Sequence, residues 1–216
     1  MAGRHPYGGS VNQASTGQFR LLYVCWANQC RSPMAELLFR AGLRYDPRLT
    51  NAGWHVSSAG IAARTGAGLH PLAARVLDEW GVEHSVFRSS LLRSELVDSA
   101  DLILTAERAH RCAVVQLRPD AARRTFTMRQ FARLLPAAEQ RDQLNAGGPT
   151  LVQTALDNRG GNQAGDPTLE DIPDPVGGPL RGFRRTIETI AGTISAFDLA
   201  GSIPSAAARP WWRKHR

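Results

Sequence analysis

Between an apolar run at Leu21–Val24 and a helical repeat opening at Pro33, the chain sets Cys25 and Arg31 at the two ends of a short turn, Trp26-Ala27-Asn28-Gln29-Cys30. Met34, Leu37, Leu38 and Leu43 then recur with helical spacing. A strand that ends at Cys25 and a helix that starts at Arg31 leave the intervening residues one compact job. Wound between those points, successive backbone N–H groups turn toward one centre, where they and the positive end of the helix dipole hold a tetrahedral oxyanion. The planar guanidinium of Arg31 adds a fork that matches two phosphate oxygens. The same field favours a thiolate, so Cys25 is expected to be an ionised nucleophile at neutral pH. Ser32, next to Arg31, can hydrogen-bond the sulfur, and Asn28 tolerates the left-handed backbone that such a turn needs. A bare Cys-x5-Arg is also compatible with two small buried thiols at an ordinary turn. The strand before it, and Asn28, Ser32 and Pro33 within it, favour the phosphate-binding loop.

The rest of the chain fits a sheet built around that loop. Apolar strands near 20–24, 54–58, 101–105 and 124–127 alternate with helical stretches near 33–45, 70–80, 107–117 and 181–197. That alternation predicts a single α/β domain with a four-stranded parallel sheet, helices on both faces, and the phosphate-binding cysteine loop after the first strand. Sheets of this kind bind ligands at the carboxyl ends of their strands, where the strand order reverses. With 216 residues, 43% of them hydrophobic, one sizeable core is within reach.

Past the loop, Val24-Cys25-Trp26-Ala27-Asn28-Gln29-Cys30-Arg31-Ser32-Pro33-Met34-Ala35-Glu36 resembles the signature of the low-molecular-weight protein tyrosine phosphatases, V-C-x-G-N-x-C-R-S-P-x-A-E. The resemblance extends over about 19–197, interrupted before Asp174. It implies that Cys25 is the nucleophile, that Arg31 clamps phosphate, and that Trp26, Ala27, Asn28, Gln29, Cys30 and Ser32 line the phosphate site. It also implies that Trp54, which opens the segment Trp54–Gly60, walls the cleft. Ile172-Pro173-Asp174-Pro175 is similar to the family's Asp-Pro loop, which makes Asp174 the general acid, with Asp171 as the fallback. Asp46-Pro47 and Asp166-Pro167 are pairs of the same type without the helix that follows Asp174. Two positions depart from the pattern. Ala27 replaces a glycine, at a cost of about 1 kcal/mol if the backbone there has positive φ. Val176 stands where an aromatic residue usually flanks the substrate ring, so Trp26 and Trp54 are the remaining apolar walls.

The three cysteines, Cys25, Cys30 and Cys112, make no disulfide framework, which points to a reducing, cytoplasmic setting. Cys30, folded back on Cys25 by the loop, is placed to form a reversible disulfide that shields the nucleophile. Cys112 falls in the helix after the third strand and is expected to be a packed thiol.

Residues 1–18 read as a flexible tail, 19–198 as the phosphatase-like domain, 136–168 as a flexible insertion in which Gly and Asn turns flank a short helical possibility at 150–157, and 199–216 as a basic aromatic tail. No apolar run reaches about 18 residues, so no transmembrane segment is expected. The net charge of +7 is carried almost wholly by Arg, a bias expected of a GC-rich bacterial genome, and it favours anionic substrates over a specific nucleic-acid partner.

The reading is of a phosphomonoester hydrolase acting through a phosphocysteine, most simply on phosphotyrosine in proteins, with no cofactor or metal and as a monomer or weak dimer. Arsenate reduction on the same fold is the alternative, and only Cys112 lies where a further redox thiol would be needed. A phosphate- or oxyanion-binding protein with weak turnover is the third possibility, although Cys25 and Asp174 are both present.

Overall fold

The computed structural model describes residues 18–45, 53–136, 147–161 and 165–197. Four parallel strands, β1 (Phe19–Cys25), β2 (Trp54–Gly60), β3 (Leu102–Thr105) and β4 (Thr125–Thr127), lie in the order β2-β1-β3-β4. The chain moves from β1 outward to β2, then returns past β1 to β3. The strand order therefore reverses at the carboxyl end of β1, which is the position of Cys25.

Side chains alternate across β1 as the pleat requires. Leu21, Tyr23 and Cys25 face one core, where they meet α1 (Arg31–Tyr45), α2 (Pro71–Glu79), α5 (Met128–Leu134), α6 (Gly148–Arg159) and α7 (Leu180–Ile194). Leu22 and Val24 face a smaller core on the other side, with Ile103, Val97 of α3 (Ser94–Ser99) and Val114 of α4 (Arg108–Leu117). Both faces of the sheet are thus covered, which is why Leu21–Cys25 of β1 and Leu102–Leu104 of β3 read as unbroken apolar runs.

The segment expected to be a flexible insertion contains α6. Leu151 and Ala155, four residues apart, are buried in the main core, and Asn158 donates from Nδ2 to the carbonyl of Leu134 at 2.8 Å. Arg159 lies with its guanidinium 4.0 Å from the centre of the Phe126 ring and donates to the Thr125 carbonyl at 2.7 Å. Gly148 sits directly under Phe19, where a Cβ would come within 2.3 Å of the ring. A glycine at the mouth of α6 is what lets the helix dock at the start of β1. Residues 137–146 and 162–164 of this segment, like 1–17 and 198–216, lie outside the described residues.

Trp54 opens β2 and pairs in register with Phe19, the first residue of β1, whereas Cys25 pairs with Gly60. Six residues of extended chain separate Trp54 from that end of the sheet, about 20 Å. Its ring packs among Phe19, Phe39 and Phe197 at centroid distances of 4.8–5.8 Å. The expectation that Trp54 walls the cleft is therefore corrected: it seals the opposite end of the main core. Parallel pairing sends the first residue of β2 away from the strand end that carries the loop.

Candidate active site

Cys25 closes β1 and Arg31 begins α1, so the loop between them is stretched over the helix N-terminus. Its carbonyls are taken up by the surroundings. Ile61 N–H donates to the Cys25 carbonyl (3.0 Å), Ala62 to Trp26 (2.8 Å), His70 to Gln29 (3.0 Å) and Met34 to Cys30 (3.0 Å). In a planar trans peptide the N–H points opposite to the C=O. The N–H groups of Trp26, Ala27, Cys30 and Arg31 are consequently turned inward, to the centre of the loop. They form the cradle that the sequence calls for, at the positive end of α1.

Asn28 holds the turn in shape. It has φ +52°, and no other non-glycine among the described residues has positive φ. Ala27 therefore carries none of the strain that a glycine-to-alanine change would bring at a left-handed position. The Asn28 side chain donates to Ser32 Oγ (2.9 Å) and Ser58 Oγ (2.7 Å), while its oxygen accepts from the Ser90 N–H (2.8 Å). Ser58 in turn donates to Glu36 Oε2 (2.7 Å), and Arg40 donates to Glu36 Oε1 (3.0 Å). Burial raises the Glu36 carboxyl, and the bonds from Ser58 and Arg40 oppose that rise. Gly60 supports the loop from behind, because a Cβ there would lie 2.6 Å from the Asn28 nitrogen and 2.7 Å from the Trp26 oxygen.

At the centre, Ser32 Oγ stands 3.0 Å from Cys25 Sγ and 3.2 Å from the Ala59 carbonyl. It accepts from Asn28 and donates to the Ala59 carbonyl, and its one proton can turn from that carbonyl to the sulfur when the sulfur is a thiolate. Cys25 is 2% exposed. Burial, then the nearby Asp174 and Cys25, push the Cys30 thiol up to about 12. Of the two loop cysteines, Cys30 is thus kept as a thiol.

Arg31 is itself only 2% exposed. Its Nη1 pairs with Glu107 Oε1 and donates to the Ile172 carbonyl (3.0 Å), and its Nη2 donates to Asp174 Oδ2 (2.7 Å). Its Nε, buried, has no partner. Asp174 also accepts from the Val176 N–H through Oδ1 (3.1 Å), and the turn closes through Gly177 at φ +82° with Gly178 N–H on the Pro175 carbonyl (3.0 Å). An Asp-anchored turn followed by a left-handed glycine fixes the carboxyl above the cradle.

The structure separates the two aspartates. Asp171 is held by the Arg108 backbone N–H (2.7 Å) and, from the same side chain, by Nε and Nη2 at 3.0–3.3 Å. It is a strut that ties the Asp-Pro segment to the first turn of α4. Of the two aspartates, it is Asp174 that meets Arg31.

Trp26, 56% exposed, and Val176, 54% exposed, stand on the loop and on the Asp-Pro turn respectively. Gln29 is half-buried in the loop. Cys112, expected to be packed, is instead exposed, on the face of α4 turned from the core. The sequence reading passed over Glu107, Ser58 and Gly60. The signal for Glu107 was available, an acidic residue two places past the carboxyl end of a parallel strand. The small-residue run Ser57-Ser58-Ala59-Gly60 at the end of β2 likewise marks close approach of another backbone.

The profile of the family described as low molecular weight phosphotyrosine protein phosphatase matches residues 20–144 of the chain. A protein-arginine-phosphatase from Geobacillus stearothermophilus is 39% identical over 180 residues, covering 82% of this chain and 94% of the relative. An arsenate reductase from Brevibacillus brevis is 40% identical over 85 residues, 39% of this chain and 56% of the relative. Among solved structures, the low molecular weight protein tyrosine phosphatase from T. tengcongensis matches with a TM-score of 0.61 at 28% identity, covering 84% of this chain and 98% of that one.

Proposed function

The chain belongs to the low molecular weight phosphotyrosine protein phosphatase family, and on that premise we propose that it hydrolyses phosphotyrosine in proteins through a phosphocysteine on Cys25. The observation that carries this reading is the convergence of Cys25 Sγ, the inward loop amides, Arg31 and Asp174 on one cradle.

In the first half of the reaction the Cys25 thiolate attacks phosphorus in line with the leaving oxygen, an S–P bond forms and the P–O bond to the substrate breaks. The leaving oxygen takes its proton from the Asp174 carboxyl. Arg31 and the loop amides hold the three equatorial oxygens as charge gathers on them. In the second half, water attacks phosphorus, gives its proton to the Asp174 carboxylate, and the S–P bond breaks to return the thiolate. Ser32 stabilises that departing sulfur, and Asn28 keeps Ser32 aimed at it.

Replacing Asp174 by Asn tests the assignment. Hydrolysis of phenyl phosphate is expected to slow by roughly 10²- to 10⁴-fold, whereas nitrophenyl phosphate, whose leaving group needs little protonation, suffers less. Asp171→Asn should leave this dependence on the leaving group unchanged. The opposite order would move the acid to Asp171.

A second reading has its own support. The relative that spans 94% of its length on this chain is named a protein-arginine-phosphatase, and exposed Val176 gives the Asp-Pro turn no aromatic ring to stack on a tyrosine. In that reading the same acid protonates a guanidine nitrogen as a P–N bond breaks. Turnover of matched phosphotyrosine and phosphoarginine peptides separates the two. Arsenate reduction receives less support, since the one further cysteine, Cys112, lies on an exposed part of α4 rather than at the cradle.

A further inference from the structure

Arg31 is shared between two carboxylates, and the mechanism above uses only one of them. Glu107, the residue before α4, meets Nη1, while Asp174 meets Nη2. Nε and Nη2 lie along one edge of the guanidinium plane, and Nε is buried without a partner. That edge is the fork left for two phosphate oxygens. To offer it fully, Arg31 must release Asp174, and Asp174 must carry a proton to the leaving group. Something else has to keep the guanidinium in place and balance its charge meanwhile.

Glu107 is built for that. Its backbone is fixed, since the Thr105 hydroxyl donates to its carbonyl (2.9 Å), Arg111 N–H reaches the same oxygen (3.1 Å), and the preceding residue, Ala106, is bonded to Val24 and Ile172 at 2.8 Å each. We propose that Glu107 is a positioning residue: it orients Arg31 through the edge that phosphate does not use, and it shares the arginine's charge so that Asp174 can leave to serve as the acid. The proposal rests on the phosphatase reading.

Two consequences are separable. Without the Glu107 carboxylate, Arg31 pairs with Asp174 alone, and the acid is held more firmly as a carboxylate. Without any acceptor at 107, Nη1 keeps only the Ile172 carbonyl, and the guanidinium is held less firmly in its orientation. The other charged or titratable groups facing this cluster are Arg108 and His110 of α4, Asp171 of the Asp-Pro segment, and Cys25 and Cys30 of the loop. All are retained in the variants, so a difference between them and the parent reports position 107.

The test compares the parent, Glu107→Ala and Glu107→Gln. The readouts are the pH profile of kcat/KM on phenyl phosphate, the affinity for inorganic phosphate by calorimetry, and thermal unfolding. The profile reports the acid and base of the free enzyme, which is the state with Asp174 on Arg31. The alkaline limb is expected at lower pH in both variants. Phosphate affinity and kcat/KM are expected to fall in Glu107→Ala, kcat/KM by roughly 10²-fold as for a misplaced catalytic group, and to be largely restored in Glu107→Gln, whose amide oxygen still accepts from Nη1. Unchanged limb and affinity, with only a lower melting temperature, would make Glu107 a structural residue and overturn the proposal. If the parent itself hydrolyses no phosphate ester, it is the phosphatase reading that fails. The calorimetric comparison then still decides, because equal phosphate affinities in the parent and Glu107→Ala overturn the positioning role.

Discussion

Cys30 shows how burial and neighbouring charge act on one thiol of the loop. Burial, and next to it Asp174 and Cys25, push its thiol up to about 12, while Cys25 lies against Ser32 at the sheet end. After mild peroxide, the sulfenic acid on Cys25 is attacked by the Cys30 sulfur as a thiolate, forming the disulfide and releasing hydroxide. Because ionisation of Cys30 rises with pH throughout the range below its own value, disulfide formation is expected to quicken by about tenfold per pH unit between neutral and mildly alkaline conditions. Peptide mapping with time is the measurement. Only sulfinic or sulfonic acid at Cys25, with no Cys25–Cys30 link at any pH, would remove the protective role. For stability the direction is opposite. A thiol whose folded-state value is raised contributes fully below its unfolded value, and that contribution is lost as pH rises above the unfolded value and through about 12. Cys30 therefore costs the fold nothing at neutral pH.

The phosphate loop is an element that depends on its neighbours more than on its own sequence. The carboxyl end of β2 supplies Ser58 and Gly60, the 61–70 segment takes up loop carbonyls, and Ser90 holds Asn28. Gly60→Ala should push a methyl into the Asn28 nitrogen and Trp26 oxygen. The expected result is a loss of inorganic phosphate affinity and of turnover with helical circular dichroism retained, and parent-like phosphate binding would refute the close approach. What was readable in the sequence at this scale follows from the same physics. Cys25, Asn28, Arg31 and Ser32 act within one turn, so local spacing exposes them. The long apolar strands and α1, α4 and α7 declare themselves by period. Short α3 and α5 span too few turns to do so, and Glu107, Ser58 and Gly60 act across the sheet, where pairing register is not written in local sequence. Trp54 was misplaced for that reason, since a tryptophan at the head of a strand does not say which end of the partner strand it meets.

Across the whole molecule the sheet divides labour between its two ends. The carboxyl ends of β1, β2 and β3 carry the candidate active site, and the amino ends of β1 and β2 carry an aromatic cluster of Phe19, Phe39, Trp54 and Phe197. Trp54→Ala is expected to destabilise the fold by up to about 3 kcal/mol through lost packing, while KM for aryl phosphate in the folded protein stays at the parent value. A raised KM with unchanged stability would put Trp54 back in the cleft. Among the described residues no helix is long and apolar enough to cross a membrane, and the cradle opens where the strand order reverses, as in other open α/β sheets. On the proposed mechanism, Cys25 Sγ is the atom through which the reaction passes. The direct measurement is rapid acid quench of Asp174→Asn mixed with nitrophenyl phosphate, followed by mass spectrometry of the peptide containing residue 25. The first step tolerates the loss of the acid and the second lacks its base, so one phosphoryl group is predicted to accumulate on Cys25, and none in Cys25→Ser. Turnover by the parent with phosphate found on no cysteine, or on another residue, would contradict the account.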